Sequence, residues 1–312
     1  MMALNEQSSR LMEGIRAAGQ PPAYLTPLEE VRSRMEATYG KSPDVPVGKV
    51  WEEYIPSPNS RIRVRIYQPE PVLTSYPLVV FIHGGGWTFD SIETHDTAVR
   101  HLCRESGCMF LSVDYRMAPE HPFPTPLEDV YTAVQWTFDN AARIGGTPGR
   151  IAVCGDSAGG NLAAAICLLA RDRGGFSLKY QYLIYPALRD GYLGSKSYEL
   201  YGKNYYLTRD TIIWTLSNYL RHDENRNNPY IFPLCAHSLD GVPPAHIITA
   251  QYDPLHDDGE EYAARLRKTG IPVTHQDYPG LMHGFINYWF CIDEALEALC
   301  ELGRVIRKTM LE

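Results

Sequence analysis

The pentapeptide Gly155-Asp156-Ser157-Ala158-Gly159 sets one serine among small residues. A serine hydroxyl attacks a carbonyl carbon when it is presented on a sharp turn, and glycine and alanine neighbours let the backbone make that turn without clashes. An apolar run over 151–154 precedes the pentapeptide and a helical pattern opens at Ala158. That strand–turn–helix context is what a nucleophile elbow requires, and the helix N-terminus behind the serine favours negative charge there. The rival reading, a glycine-rich structural turn, does not need the context. Attack on a carbonyl also develops an oxyanion, which needs backbone N–H donors aimed at one point. His83-Gly84-Gly85-Gly86-Trp87 directly follows a second apolar run, 78–82. The expected donors are Gly84 and Gly85, with Ala158, the residue after the nucleophile, as the third. A phosphate-binding loop is excluded, because neither G-x-x-x-x-G-K-[ST] nor G-x-G-x-x-G is present.

The serine further needs a base, and the base an orienting acid. Asp253-Pro254-Leu255 follows the apolar run 246–250, and His283-Gly284-Phe285 follows a strand-like stretch, 273–278. The order Ser157, Asp253, His283 is the α/β-hydrolase order. Asp257 and Asp258 compete with Asp253 for the role of acid. They precede Gly259 and a helical stretch, so they are expected to cap that helix and complement its dipole. Asp253 is the expected acid because it lies just past the carboxyl end of a strand, where sites of open α/β sheets form.

These residues work only if a frame holds them together. Apolar runs of strand length recur at 78–82, 109–113, 151–154, 180–185 and 246–250, as in a parallel sheet buried on both faces. Helical patterns at 127–142, 158–171 and 259–268 lie between them, which gives a doubly wound α/β sheet. The alternation of 61–67 reads as a half-exposed strand, and 273–278 is expected at a sheet edge. Residues 1–40 read as two short helices broken at Gln20-Pro21-Pro22, and 41–60 as a proline-rich connector. The stretch 190–230 interrupts the rhythm with Tyr192, Tyr198, Tyr201, Tyr205, Tyr206, Trp214 and Tyr219. A helical insertion fits it, either as a surface helix pair or as a lid over a pocket. The expected divisions are 1–50, N-terminal cap helices and connector; 51–189 and 231–312, the two parts of the catalytic domain; and 190–230, a cap insertion.

A net charge of −8 over 312 residues argues against nucleic acid or an anionic membrane surface as partner. The longest apolar stretch, 162–170, is too short to span a bilayer, and 1–20 holds no apolar run of signal-peptide length. The expected location is the cytoplasm, with no stable membrane association. The seven cysteines form no C-x-x-C pair and read mostly as reduced core residues. No histidine spacing matches a metal motif, so neither metal nor cofactor is expected. Asp114, Arg116, Glu120 and His121 could pass for a charged active cluster. Pro119, Pro122, Pro124 and Pro126 instead make this a rigid loop, expected to brace the oxyanion loop.

Five segments together resemble a known motif set: His83-Gly84-Gly85-Gly86, Asp114-Tyr115-Arg116-Met117-Ala118-Pro119-Glu120-His121-Pro122-Phe123-Pro124, Gly155-Asp156-Ser157-Ala158-Gly159-Gly160-Asn161, Asp253-Pro254-Leu255 and His283-Gly284-Phe285. The set is that of the hormone-sensitive-lipase-like esterases, the bacterial family IV carboxylesterases. The resemblance runs from about Tyr76 to the C-terminus and departs at Met117, where leucine is usual, and at Asp258, where glutamate is usual. It implies an α/β-hydrolase fold, a mostly parallel sheet of about eight strands flanked by helices, with a helical cap made by the N-terminal helices and 190–230. It also implies that the branch with Asp156 before the serine uses aspartate as triad acid. The implied reaction is hydrolysis of small short- to medium-chain carboxylic esters through an acyl-enzyme, by Ser157, His283 and Asp253. A homodimer through the edge strand is implied as well. Two other readings keep the fold: an arylformamidase or other small-molecule amidase on the same machinery, and a non-catalytic ligand receptor. Plant gibberellin receptors resemble the family and lack the triad histidine, whereas His283 is present here.

Overall fold

The computed structural model describes residues 3–39, 45–57, 60–71, 73–192, 194–221 and 224–312. Part of the expected connector 41–60, and His222, lie outside the described residues. In chain order the elements are α1 (Glu6–Ala17), α2 (Leu28–Tyr39), β1 (Lys49–Ser57), β2 (Ser60–Gln68), β3 (Tyr76–Ile82), α3 (Ile92–Ser106), β4 (Met109–Asp114), α4 (Thr125–Asn140) and β5 (Gly146–Asp156). Then follow α5 (Ala158–Arg173), β6 (Gln181–Ile184), α6 (Lys196–Tyr201), α7 (Arg209–Tyr219), β7 (Ala245–Tyr252), α8 (His256–Lys268), β8 (Val273–Met282) and α9 (Asp293–Leu311).

The strands form one eight-stranded sheet in the order β1-β2-β4-β3-β5-β6-β7-β8. From β4 to β8 every neighbouring pair is parallel, whereas β2 runs antiparallel to β4 and β1 antiparallel to β2. The central strands read as unbroken apolar runs because helices cover both faces. Leu78, Val80 and Ile82 of β3 pack with Leu127 of α4, Leu162 of α5 and Tyr262 of α8 on one face. Val79 and Phe81 pack with Val99 and Leu102 of α3 and Leu299 of α9 on the other. Helix α5 is buried over its first thirteen residues, Ala158–Ala170, and its glycines and alanines let it lie close against the sheet. That burial fixes the start of α5, and with it the turn that carries Ser157.

Three elements differ from the reading of the sequence. The connector 41–60 contains β1, of whose side chains only Ile55 is buried, so its pattern lacks an apolar run. An outermost strand also tolerates Pro56. Helices α3 and α9 are unassigned in the sequence reading, yet both carry helical periodicity. In α9 the buried residues Ala295, Ala298, Leu299, Leu302, Ile306 and Met310 form one stripe. In α3 a capping box between Ser91 and Thr94 marks the start and Gly107 in left-handed conformation the end. Helix α8 begins at His256, three residues before the expected Gly259, and β8 lies at the sheet edge.

Candidate active site

Ser157 stands on the turn from β5 into α5 with φ 54° and ψ −118°, a strained backbone for any residue but glycine. The surrounding contacts over-determine it. Its N–H donates to Ile184 O at 2.9 Å, and its carbonyl accepts from Asn161 N and Ala187 N. The flanking glycines are sterically required: a Cβ on Gly155 would lie 2.3 Å from Gly159 O, and one on Gly159 would lie 2.0 Å from Ile82 O.

The glycine loop after β3, expected to form the oxyanion hole, meets this elbow through Asp156. Gly84, an expected donor, gives its N–H to Asp156 Oδ1 at 2.9 Å instead. A Cβ there would lie 2.5 Å from Asp156 Oδ2, so Gly84 is a contact between loop and elbow. Gly85 and Gly86 take left-handed φ values of 89° and 57° and face the cavity beside Ser157. Neither N–H has an acceptor among the described residues. Ala158 opens α5, where an N–H has no intrahelical partner.

Behind the loop, Asp156 also meets His95 Nε2 at 3.2 Å. Burial opposes charge on His95, but Asp156 outweighs it and raises the imidazole above its usual range. Burial and neighbouring His95 push His83 down to about 3, so that ring is neutral. His83 stacks on Tyr115 at 4.3 Å, and the Tyr115 hydroxyl donates to the carbonyls of His83 and Gly84. Ala118 N donates to Trp87 O at 2.8 Å. Arg116, one of the charged residues of this segment, is held by Asp129 in a bidentate pair outside the cavity. The roles of His95 and Asp156 in tying loop to elbow escape sequence reading, since both partners of Asp156 lie more than sixty positions upstream.

His283 Nε2 lies 2.9 Å from Ser157 Oγ, and His283 Nδ1 lies 2.6 Å from Asp253 Oδ2. Asp253 is completely buried and its Oδ1 accepts from Leu255 N at 2.8 Å, which fixes the carboxylate plane. With Nδ1–H donating to Asp253, Nε2 is free to accept the serine proton. The structure thus brings Ser157, His283 and Asp253 into one hydrogen-bonded chain. The expected capping role of Asp257 and Asp258 is corrected, because α8 has no side-chain cap. Asp258 is buried, accepts from the N–H groups of Leu188 and Arg189, and pairs with the Arg189 guanidinium. Asp257 accepts from Ser197 N. Asp257 thus ties the insertion to α8, and Asp258 ties the chain leading into the insertion to the same helix.

Above Ser157 and His283 lies a cavity of about 690 Å³. Its floor is Gly85, Gly86, Ser157, Ala158 and His283, and its roof comes from α1, α2 and α7 with Tyr206, Leu207 and Leu216. The roof approaches so closely that a Cβ on Gly86 would meet Thr215 at 2.6 Å. Arg32 of α2 donates to Thr88 O and Ala118 O and grips the Glu120 carboxylate with two nitrogens. Tyr39, Tyr206 and Tyr288 join α2, the insertion and the catalytic side through their hydroxyls, at 2.7 and 2.8 Å. Away from the cavity, His256, Asp257 and Glu260 come within 4.8 Å of one another, but His256 is engaged by Asp257 and Asp277. All seven cysteines are free; Cys103, Cys108, Cys154 and Cys167 are buried, while Cys235 and Cys291 are exposed and so not core residues.

Residues 79–287 match the family model described as alpha/beta hydrolase fold. The chain is 44% identical over 239 residues to the carboxylic ester hydrolase LipN of Mycobacterium tuberculosis, covering 75% of this chain and 63% of that one, less than two thirds of that relative's length. It is 38% identical over 260 residues to an arylesterase of Saccharolobus solfataricus, covering 83% of this chain and 84% of the relative. Among solved structures, a hyperthermophilic esterase from the archaeon Pyrobaculum calidifontis matches with a TM-score of 0.93 at 37% identity, covering 100% of both chains. An ester hydrolase from the metagenome of Lake Arreo, solved with a bipyridine phosphonate derivative, matches with a TM-score of 0.95 at 35% identity and the same coverage.

Proposed function

This chain belongs to the α/β-hydrolase-fold family, and on that premise we propose that it is a serine carboxylesterase acting on small esters of short- to medium-chain acids. The observation that carries the reading is the chain of contacts from Asp253 through His283 to Ser157, opening into a cavity. Ser157 Oγ attacks the ester carbon while His283 Nε2 takes its proton. Asp253 holds the imidazole in the required tautomer and stabilises the imidazolium. The oxyanion forms against the N–H groups of Gly85, Gly86 and Ala158. Collapse expels the alcohol, which leaves with the proton from His283. Water, deprotonated by the same nitrogen, then attacks the acyl-enzyme, and the acid departs as Ser157 regains its proton.

The acyl preference rests on the roof. Each methylene added to the acyl chain gains about 0.8 kcal/mol only while it finds apolar room. Beyond Leu207, Ile212 and Leu216 it must displace α7 or stay in water. Rates on a series of p-nitrophenyl esters should therefore peak between about four and eight acyl carbons and fall beyond. Faster hydrolysis of a triolein emulsion than of a butyrate ester would contradict the proposal.

The free cysteines support a reducing compartment, and the cytoplasm is the proposed location. Among the described residues no helix is long and apolar enough to cross a membrane. Among the described residues no further strand pairs with the outer edge of β8, which supports a homodimer through that edge.

A further inference from the structure

One carboxyl group lining the cavity has neither a role in the mechanism nor a partner among the described residues. Asp90 lines the cavity together with Gly85, Gly86, Ser157 and His283. Its Oδ1 is shut off from solvent, and neither carboxyl oxygen has a hydrogen-bond or ion-pair partner among the described residues. Its backbone is left-handed, with φ 66°, a conformation that suits glycine better than aspartate. An orphan polar atom and a disfavoured backbone both weaken folding, and such costs gather where a ligand supplies the missing partner. The group sits beside the oxyanion loop, because a Cβ built on Gly85 would lie 2.8 Å from Asp90 Cβ.

We propose that Asp90 determines specificity by accepting a hydrogen bond from a hydroxyl on the acyl chain, close to the ester carbonyl. The proposal rests on the esterase reading of this cavity. Burial pushes the Asp90 carboxyl up to about 6, with His95 pulling it down and Asp156 pushing it up, so near neutral pH it is mainly a charged acceptor. Hydrogen bonds to a charged acceptor are the strong ones. A cationic donor is disfavoured, because Arg10, Arg34 and Arg189 line the same cavity. The donor belongs to the acyl side, because the leaving oxygen must reach His283 Nε2 to be protonated, whereas Asp90 stands next to the oxyanion donors.

The test is the ratio of kcat/KM for p-nitrophenyl 3-hydroxybutyrate to that for p-nitrophenyl butyrate, in the wild type, Asp90→Gly and Asp90→Asn. Comparing ratios between proteins cancels the intrinsic reactivity of the two esters. Glycine accepts the left-handed backbone, and asparagine keeps both that tolerance and an acceptor oxygen. The ratio should fall about tenfold or more in Asp90→Gly and lie between the extremes in Asp90→Asn. A ratio equal in all three proteins overturns the proposal. So does an Asp90→Gly protein that melts several degrees lower, which would mark the carboxylate as structural. A stronger Asp90 dependence for an ester carrying an ammonium group overturns the hydroxyl assignment. Hydrolysis of neither ester by the wild type counts against the esterase reading instead. In that event, calorimetric titration with 3-hydroxybutyramide and butyramide reads the same ratio as affinities.

Discussion

The floor and the roof of the cavity are held in different ways. In the floor, buried groups meet at 2.6–3.2 Å: Asp253 with His283, Asp156 with Gly84 and His95, and Ser157 with Ile184. Every one of these contacts starts from the carboxyl end of a central strand or the turn beyond it. The roof hangs on the Arg32 clamp, the three tyrosine hydroxyls and the anchors at Asp257 and Asp258. Its elements leave Ile15, Leu25 and Leu200 exposed by 39, 69 and 50%. Proton transfer and charge stabilisation tolerate little misplacement, which suits groups held by short contacts at strand ends. Admitting and sizing a substrate requires a surface that opens, and such surfaces come from the less stable end of a structure.

Breaking the floor should have the largest effect. Ser157→Ala and His283→Ala should each lower kcat by a factor on the order of 10⁶, and the double variant should be little worse than either, since the two act as one unit. Strictly multiplicative losses in steady-state rates would separate what the geometry joins.

The two buried aspartates beyond β7 sharpen the contrast. Asp253→Asn should leave the fold intact and lower kcat by roughly 10⁴-fold by favouring the wrong tautomer of His283. Asp258→Ala should do the reverse. It strands the Leu188 and Arg189 N–H groups, while the Arg189 guanidinium keeps its second partner, Glu261, at a cost of about 3 kcal/mol. That should lower Tm by roughly 5 °C while kcat stays within about tenfold. Loss of turnover in a folded Asp258→Ala protein would mean the acid has been misassigned.

A roof variant should act more gently. Arg32→Ala removes the grip of α2 on Thr88, Ala118 and Glu120. We expect kcat/KM to fall about tenfold, mainly through KM, and limited proteolysis to cut the first forty residues faster while the catalytic part stays whole. Equal cutting rates would show that the roof has no separate stability.

The smallest effect concerns His256, at the joint between α8 and β8. Its hydrogen bond to Asp277 raises its pKa to about 9 against the opposing effect of burial, with Asp257 adding to the rise. A histidine whose folded value is raised stabilises fully below its unfolded value of 6.5, and that contribution disappears as pH rises through about 9. His256→Gln should thus cost about 1–3 kcal/mol near pH 6 and close to nothing near pH 10. A difference in melting temperature that grows with pH would contradict this.

Much of the floor was legible in the sequence, because a nucleophile elbow constrains neighbours in the chain: Gly155 and Gly159 are needed wherever Ser157 takes that turn. Asp253 and His283 could be ordered because each ends a strand-like stretch. Gly84 was misread as a donor because its partner, Asp156, comes from another strand end, and no local pattern reports which N–H a distant carboxylate will take. Asp258 failed for the same reason, since its position suggests a cap while its partners, Leu188 and Arg189, come from the chain just before the insertion. In the roof the two N-terminal helices and a helical insertion were legible, but not the Arg32 clamp or the tyrosine hydroxyls that hold them down. Helix α9 carries its apolar stripe openly in the sequence, whereas β1, exposed along much of its length, does not.

The central claim is that Ser157, activated by His283, is the nucleophile. A p-nitrophenyl alkylphosphonate releases nitrophenol once for each nucleophile it phosphonylates, and peptide mass spectrometry then locates the adduct. The account predicts one adduct per chain, on the peptide holding Ser157, formed with a single burst of nitrophenol and lost in His283→Ala. An adduct on any other residue, or a burst undiminished in His283→Ala, would contradict it.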